Sequence, residues 1–331
     1  MAYTTIDDPS LYFRVKTYSG SSSDGNAITW DETHANMSPN FLWLKNRTSA
    51  QEHWLCDTVR GTGKFLESNS NNAESSDGAS GFASFDSNGF TLNDSARTNR
   101  NTMVAWGWKE SATAGFDIVT YTGNETARTI SHSLSAVPKM MIVKNRGTTG
   151  NWGVYHVGLG TANKRLELDS NAAEDTGTSV WNDTDPTSSV FSVGDNDRIT
   201  NGNSMTYVGY LFSEKQGFSK FGKYTGNGNA DGTFVHTGFR PAMIIIKRTD
   251  ATDHWYIYDD QRGYNGDIAS LRPNENHSES TASGYEIDIL SNGFKARQNH
   301  DDINGSGNSY VYMAFAKQPF VNSNGVPCNG K

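Results

Sequence analysis

One cassette is written three times in this chain, and that triplication limits the fold more than any other feature. Tyr18, Tyr121 and Tyr224 each open a Tyr-(Ser/Thr)-Gly turn, at a spacing of 103 residues. A proline, an apolar run and a lysine come next: Pro39 and Lys45 bracket PNFLWLK, Pro138 and Lys144 bracket PKMMIVK, and Pro241 and Lys247 bracket PAMIIIK. Trp54, Trp152 and Trp255 follow, and each cassette closes on an aromatic alternating segment, MVAWGW, YVGYLF or YVYMAF. Solenoid units run roughly 20–50 residues and cannot bury a core alone. A unit near 100 residues is long enough to fold by itself. The expected layout is therefore an arm (1–11), three tandem domains (12–110, 115–214 and 218–320) and a tail (321–331). The joints are short, which predicts stiffly stacked beads forming an elongated strut.

Composition sets the class of each bead. With 35% hydrophobic residues, 11% aromatics and 33 glycines, the chain reads as many short strands joined by polar turns. No window carries a capped helical stripe. A net charge of −8 argues against counterion-displacing nucleic-acid binding, and apolar runs of five or six residues are too short to span a bilayer. The first twelve residues lack the basic start and apolar core of a secretory signal. The two cysteines, Cys56 and Cys328, do not repeat with the cassette, so they read as free thiols, one of them buried.

Within a cassette, the apolar run reads as a central strand buried on both faces. Its proline is tolerated at the strand entrance, and its lysine is a charged stop at the sheet rim. Asn88-Gly89-Phe90 and Asn292-Gly293-Phe294 read as hairpin turns, replaced in the second copy by Ser189-Val190-Phe191. About seven strands per repeat predict an all-β chain of three β-sandwiches, jelly-roll or immunoglobulin-like, with the two topologies left open. Trp54, Trp152 and Trp255 are taken as equivalent inter-sheet plugs. The non-repeating aromatics Trp30, Trp181 and Tyr264 are the candidate contact surface. Loops 61–84, 171–185 and 262–283 read as non-repeating segments suited to carry specificity.

The search for chemistry assigns no catalytic residue, no cofactor and no metal site. Asp57-x-x-Arg60 and Asp259-x-x-Arg262 read as ion pairs pinning a turn, and the second copy replaces them with His156-x-x-Leu159. His34, His132 and His236 recur without accompanying ligands, which reads as loop hydrogen bonding. Adjacent pairs such as Asp259-Asp260 and Asp301-Asp302 point to opposite sides of a strand, a poor match to glycoside cleavage, and are only a weak candidate for calcium. The sequence also lacks HExxH, CxxC, GxSxG and phosphate-loop patterns.

TIDDPSLYF at the start, the Tyr-Thr-Gly-Asn turns at Tyr121 and Tyr224, FRPAMIIIKR, SNGF and the ending YVYMAFAKQPF resemble repeat-containing virion proteins of aquatic tailed phages, grouped under a domain of unknown function. The resemblance implies a non-enzymatic virion protein of the tail, fibre or baseplate, made in the host cytoplasm and contributing to host attachment. Alternatives are a capsid decoration or head-fibre protein, a carbohydrate-binding module for host surface glycans, and a depolymerase. Expected partners are other virion proteins, further copies of the chain (a trimer, by analogy) and a host surface glycan or receptor, with neither nucleic acid nor membrane insertion. The arm, with Tyr3, Asp7, Asp8 and Pro9, is expected to order on contact with a particle protein.

Overall fold

The computed structural model describes residues 3–31, 36–195, 198–263 and 265–329, and its sheets are antiparallel. The first repeat contains β1 (Phe13–Ser19), β2 (Asn26–Thr29), β3 (Phe41–Asn46), β4 (Trp54–Asp57), β5 (Ser84–Asp86), β6 (Gly89–Leu92) and β7 (Thr102–Trp108). One sheet has the order β1-β7-β3-β4 and a second has β2-β6-β5. The first strand thus pairs with the last and the second with the penultimate. This excludes the immunoglobulin order, in which the first and last strands belong to different sheets. The third repeat follows the same plan, with Phe239–Arg248 flanked by Trp255–Asp259 and Ser309–Pro319. The second extends its larger sheet to six strands and keeps only Arg128–Ser131 and Val190–Val193 in the smaller one.

The apolar run is a central strand in every repeat, paired on both edges and buried on both faces. Pro138 opens its strand as expected, whereas Pro39 lies two residues before β3 and Pro241 falls inside its strand. Pro241 sits where the register shifts, a place that tolerates a missing ladder donor. Glycine supplies close approach at two recurrent turns. A Cβ on Gly89 or Gly293 would lie 2.0 Å from the carbonyl oxygen of Ile28 or Val235, so the hairpin glycine lets the neighbouring strand pass. In the Tyr-x-Gly turns, each tyrosine hydroxyl donates to a carbonyl at 2.7 Å: Tyr18 to Thr98, Tyr121 to Thr200 and Tyr224 to Ile303.

The expectation of self-sufficient beads strung along a line is corrected by the core. Side-chain alternation along β3 sends Leu42 and Leu44 to an interior private to the first repeat, while Phe41 and Trp43 enter an interior shared by all three. Met140 and Ile142 enter the same shared interior, and Met141 and Val143 face the second repeat's own core. At the centre, the equivalent residues Trp108, Phe212 and Phe315 touch pairwise, with ring centroids 6.4, 5.8 and 5.7 Å apart. Each larger sheet therefore has two apolar faces, and a strut would leave one of them in water. Closing three repeats around a pseudo-threefold axis buries all three.

The arm is also part of this body. Tyr3 Oη donates to Gly238 O at 2.7 Å, Thr4 Oγ1 to Gln216 O at 2.8 Å, and Ile6 and Pro9 are buried. Asp7 accepts from the backbone N–H and hydroxyl of Ser323 in the tail, and Asp8 caps the short Pro9–Leu11 turn. The arm is thus held against the third repeat and the tail of its own chain.

Candidate functional site

Most of the recurrent polar residues lie in the seams between repeats, and the seams are cyclic. The loops expected not to repeat share a pattern: Glu67-x-Asn69-x-Asn71-x-x-Glu74, Glu167-x-Asp169-x-Asn171-x-x-Glu174 and Arg272-x-Asn274-x-Asn276-x-x-Glu279. Each loop reaches into the next repeat. Glu74 N donates to Arg146 O at 3.0 Å, Glu174 N to Thr249 O at 2.8 Å, and Glu279 N to Arg47 O at 2.8 Å, which returns the chain's third loop to its first repeat. Arg146 pairs with Glu74 and Arg47 with Glu279. The sparse Asn and Glu spacing was the signal available in the sequence. Variable residues between those positions hide it.

A second set of contacts corrects the alignment of the tryptophans. Trp152 Nε1 donates to Glu67 O at 3.0 Å and Trp255 Nε1 to Glu167 O at 2.9 Å. The corresponding contact in the remaining seam is His53 Nε2 with Arg272 O at 3.1 Å. The backbone N–H groups of His53, Trp152 and Trp255 are held by Asn69, Asp169 and Asn274 respectively. His53 is therefore the equivalent of the two tryptophans, and Trp54 is one residue out of register, facing the private core of the first repeat. Burial holds the His53 imidazole well below its usual range, so it is neutral and suited to serve as a seam donor.

The Asp-x-x-Arg pairs do pin turns, and they also bind across a seam. Asp57 Oδ2 accepts from Arg60 Nε at 2.5 Å and from Tyr210 Oη of the second repeat at 2.7 Å. Asp259 Oδ2 accepts from Arg262 Nε at 2.6 Å and from Trp106 Nε1 of the first repeat at 3.1 Å. The position of Trp106 and Tyr210 is Met313 in the third repeat, which has no N–H or O–H to offer. Facing it, the second repeat carries His156, whose Nε2 meets Tyr312 O at 3.0 Å. An aspartate there would lose its cross-seam donor, which accounts for the replacement of both members of the pair.

Lys45, Lys144 and Lys247 are corrected from rim residues to fully buried ones. Each follows the alternation onto the shared face, where its Nζ is held by carbonyls, including Asn276 O for Lys45 and Asn71 O for Lys144, both at 3.2 Å. Burial lowers all three pKa values to about 8.

Two of the proposed contact aromatics are likewise interior: Trp30 is 3% exposed and Trp181 1%. Both plug private cores, because an isolated aromatic in a turn-rich segment covers the end of a sheet pair as readily as it faces solvent. Tyr264 and His34 lie outside the described residues.

Symmetry breaks at one cleft in the third repeat, with a volume of about 220 Å³, over Tyr256, Leu271, Arg272 and Tyr285 and rimmed by Ser270, Ser278, Ser280 and His277. Tyr256 and Tyr285 stack with centroids 5.0 Å apart, and the Arg272 guanidinium lies 5.3 and 5.9 Å from the two rings. Beneath them Tyr256 Oη bonds to Asp302. Asp302 also hydrogen-bonds Asp253, and burial together with that bond pushes Asp253 up to about 7. Two carboxyls in direct hydrogen-bond contact are closer than the roughly 5–9.5 Å separation that glycoside cleavage uses. Among the described residues no group of three or more His, Cys, Asp or Glu is placed to hold a metal ion, and no helix is long and apolar enough to cross a membrane.

A family model described as "Domain of unknown function (DUF7483)" matches residues 8–319. The chain belongs to the DUF7483 family. The match spans all three repeats and the Pro9–Leu11 turn, so the family unit is the closed ring and not one repeat. No curated protein and no solved structure matches the chain.

Proposed function

We propose that this DUF7483 protein is a non-enzymatic structural component of a bacteriophage particle, set in the tail, fibre or baseplate and contributing to host attachment as a rigid knob. The carrying observation is where the recurrent polar residues are used. Asp57, Asp259, Lys45, Lys144 and the Glu74, Glu174 and Glu279 loops are all engaged in closing one repeat on the next. A triplication kept for catalysis would leave at least one set of acids, bases or nucleophiles converging on an open cleft. One kept for a load-bearing body places them at its joints. The resemblance of TIDDPSLYF and YVYMAFAKQPF to phage virion proteins supplies the setting. Three sandwich-like units in one pseudo-threefold body also suit a symmetric mount, and a trimer of chains is the assembly expected by analogy.

The test is mass spectrometry and imaging of purified particles carrying the gene. A low copy number at the tail or baseplate supports the reading. Hundreds of copies on the head lattice would move the protein to capsid decoration, and absence from the particle would end the proposal.

A further inference from the structure

We propose that the cleft over Tyr256 binds one neutral pyranose unit of a glycan, a site present in the third repeat alone. The three repeats supply an internal comparison. Strand pairing makes Trp54, Gly153 and Tyr256 equivalent, opposite Leu44, Val143 and Ile246. Pairing of the following segment makes Phe65, Arg165 and Ser270 equivalent, opposite Ser75, Asp175 and Ser280. In the first repeat Phe65 stacks flat on Trp54, with centroids 3.6 Å apart, and fills the space. In the second, the space over Gly153 is taken by Ile199 and Trp181, which a Cβ there would meet at 2.5 and 3.7 Å. In the third, the plug position is Ser270, Tyr285 covers Tyr256 from one side with centroids 5.0 Å apart, and about 220 Å³ beside this stack stands open.

The lining fits a sugar. A pyranose presents C–H groups on its faces and hydroxyls around its edge, matching the half-exposed Tyr285 ring, backed by the buried Tyr256 and bordered by the hydroxyls of Ser270, Ser278 and Ser280 and the ring of His277. The volume is below the roughly 300–1,000 Å³ of drug-sized pockets, which limits the occupant to a single ring. Charge selects a neutral one. Arg272 Nη1 is paired with Glu275 Oε2 at 2.7 Å, so its cation is offset inside the protein. The wall is preorganised, because Tyr256 is anchored through Asp302 and the Arg272 carbonyl is held by His53 across the seam.

This inference deepens the attachment role proposed above, and the two fail separately. A particle protein that binds no sugar loses only the inference, and a sugar-binding protein absent from particles loses only the location. The experiment is saturation-transfer NMR and calorimetric titration of the full chain with glucose, galactose, mannose, N-acetylglucosamine and glucuronic acid, followed by short oligosaccharides of whichever binds. Saturable binding of a neutral sugar is expected, weakened about tenfold or more by Ser270→Phe, which restores the plug of the first repeat, and similarly by Tyr285→Ala at the half-exposed wall. The proposal is overturned if no sugar binds saturably, if glucuronic acid is preferred, or if either variant is folded and binds undiminished. Should Ser270→Phe misfold, Tyr285→Ala decides.

Discussion

The indole of Trp108 meets the ring of Phe315 edge-on at 5.7 Å, joining the last strand of the first repeat to the last strand of the third. Contacts of this kind make the three repeats one body. A linear stack would have no reason to bring its first and last units together.

Unfolding should accordingly be a single cooperative event. Phe315→Ala removes a ring in contact with both Trp108 and Phe212, and is expected to cost about 3–5 kcal/mol. Calorimetry and urea titration followed by two probes should give coincident transitions in both wild type and variant. Three separable transitions, with only the third lowered, would restore independent beads.

The seam pairs should behave as interlocked sets. Asp57→Ala leaves buried Arg60 with Glu74, 3.2 Å away, as its carboxylate partner and is expected to cost about 3 kcal/mol, whereas Tyr210→Phe removes two bonds to a retained ion pair and costs about 1–2 kcal/mol. Writing the other repeats' solution into the second, His156→Asp with Leu159→Arg, is expected to destabilise. Adding Met313→Tyr should recover part of the loss. Chemical denaturation of the double and triple variants checks this, and a triple variant no better than the double contradicts it.

The buried lysines set the alkaline pH response. Their folded pKa of about 8 lies below the ordinary 10.5, so between those values the unfolded chain binds more protons than the folded one. Their contribution is fully present above pH 10.5 and is lost as pH falls through about 8, so it raises stability from pH 8 to 9.5. Above about pH 10 buried tyrosines such as Tyr18, Tyr121 and Tyr210, whose pKa values burial raises, act in the opposite sense. Urea midpoints at pH 7.5, 8.5 and 9.5 should therefore climb, and Lys144→Met should flatten the slope.

Thiol chemistry should separate the two cysteines. Cys56 is completely buried, and burial pushes its thiol up, while Cys328 is partly exposed. A chromogenic disulfide reagent is expected to titrate one thiol in the native protein and two in denaturant. Two rapid native equivalents would mean that the first repeat opens easily.

Much of the strand layout was legible in the chain. Strand positions, the buried central run, the hairpin glycines and the threefold period depend on local spacing and on the two-residue alternation of strands, which neighbouring residues impose on one another. The sequence was a poor guide to exposure for Trp30, Trp181 and the three lysines, since alternation tells which residues share a face but not what lies beyond it. It also misplaced Trp54, because a histidine and a tryptophan do the same seam work through a ring N–H, and matching by residue type shifted the register by one.

Residue order and spacing made the chain all-β, triplicated and punctuated at fixed points. Long-range packing closed the three units on one another, assigned the acids, lysines and asparagine-rich loops to the joints, and left a cleft beside Tyr285 where Ser270 stands in place of a plug. The physical reason is range. Backbone preference and alternation act over a few residues, whereas ring closure and an unfilled cavity depend on side chains that meet across seams between residues as far apart in the chain as Arg47 and Glu279.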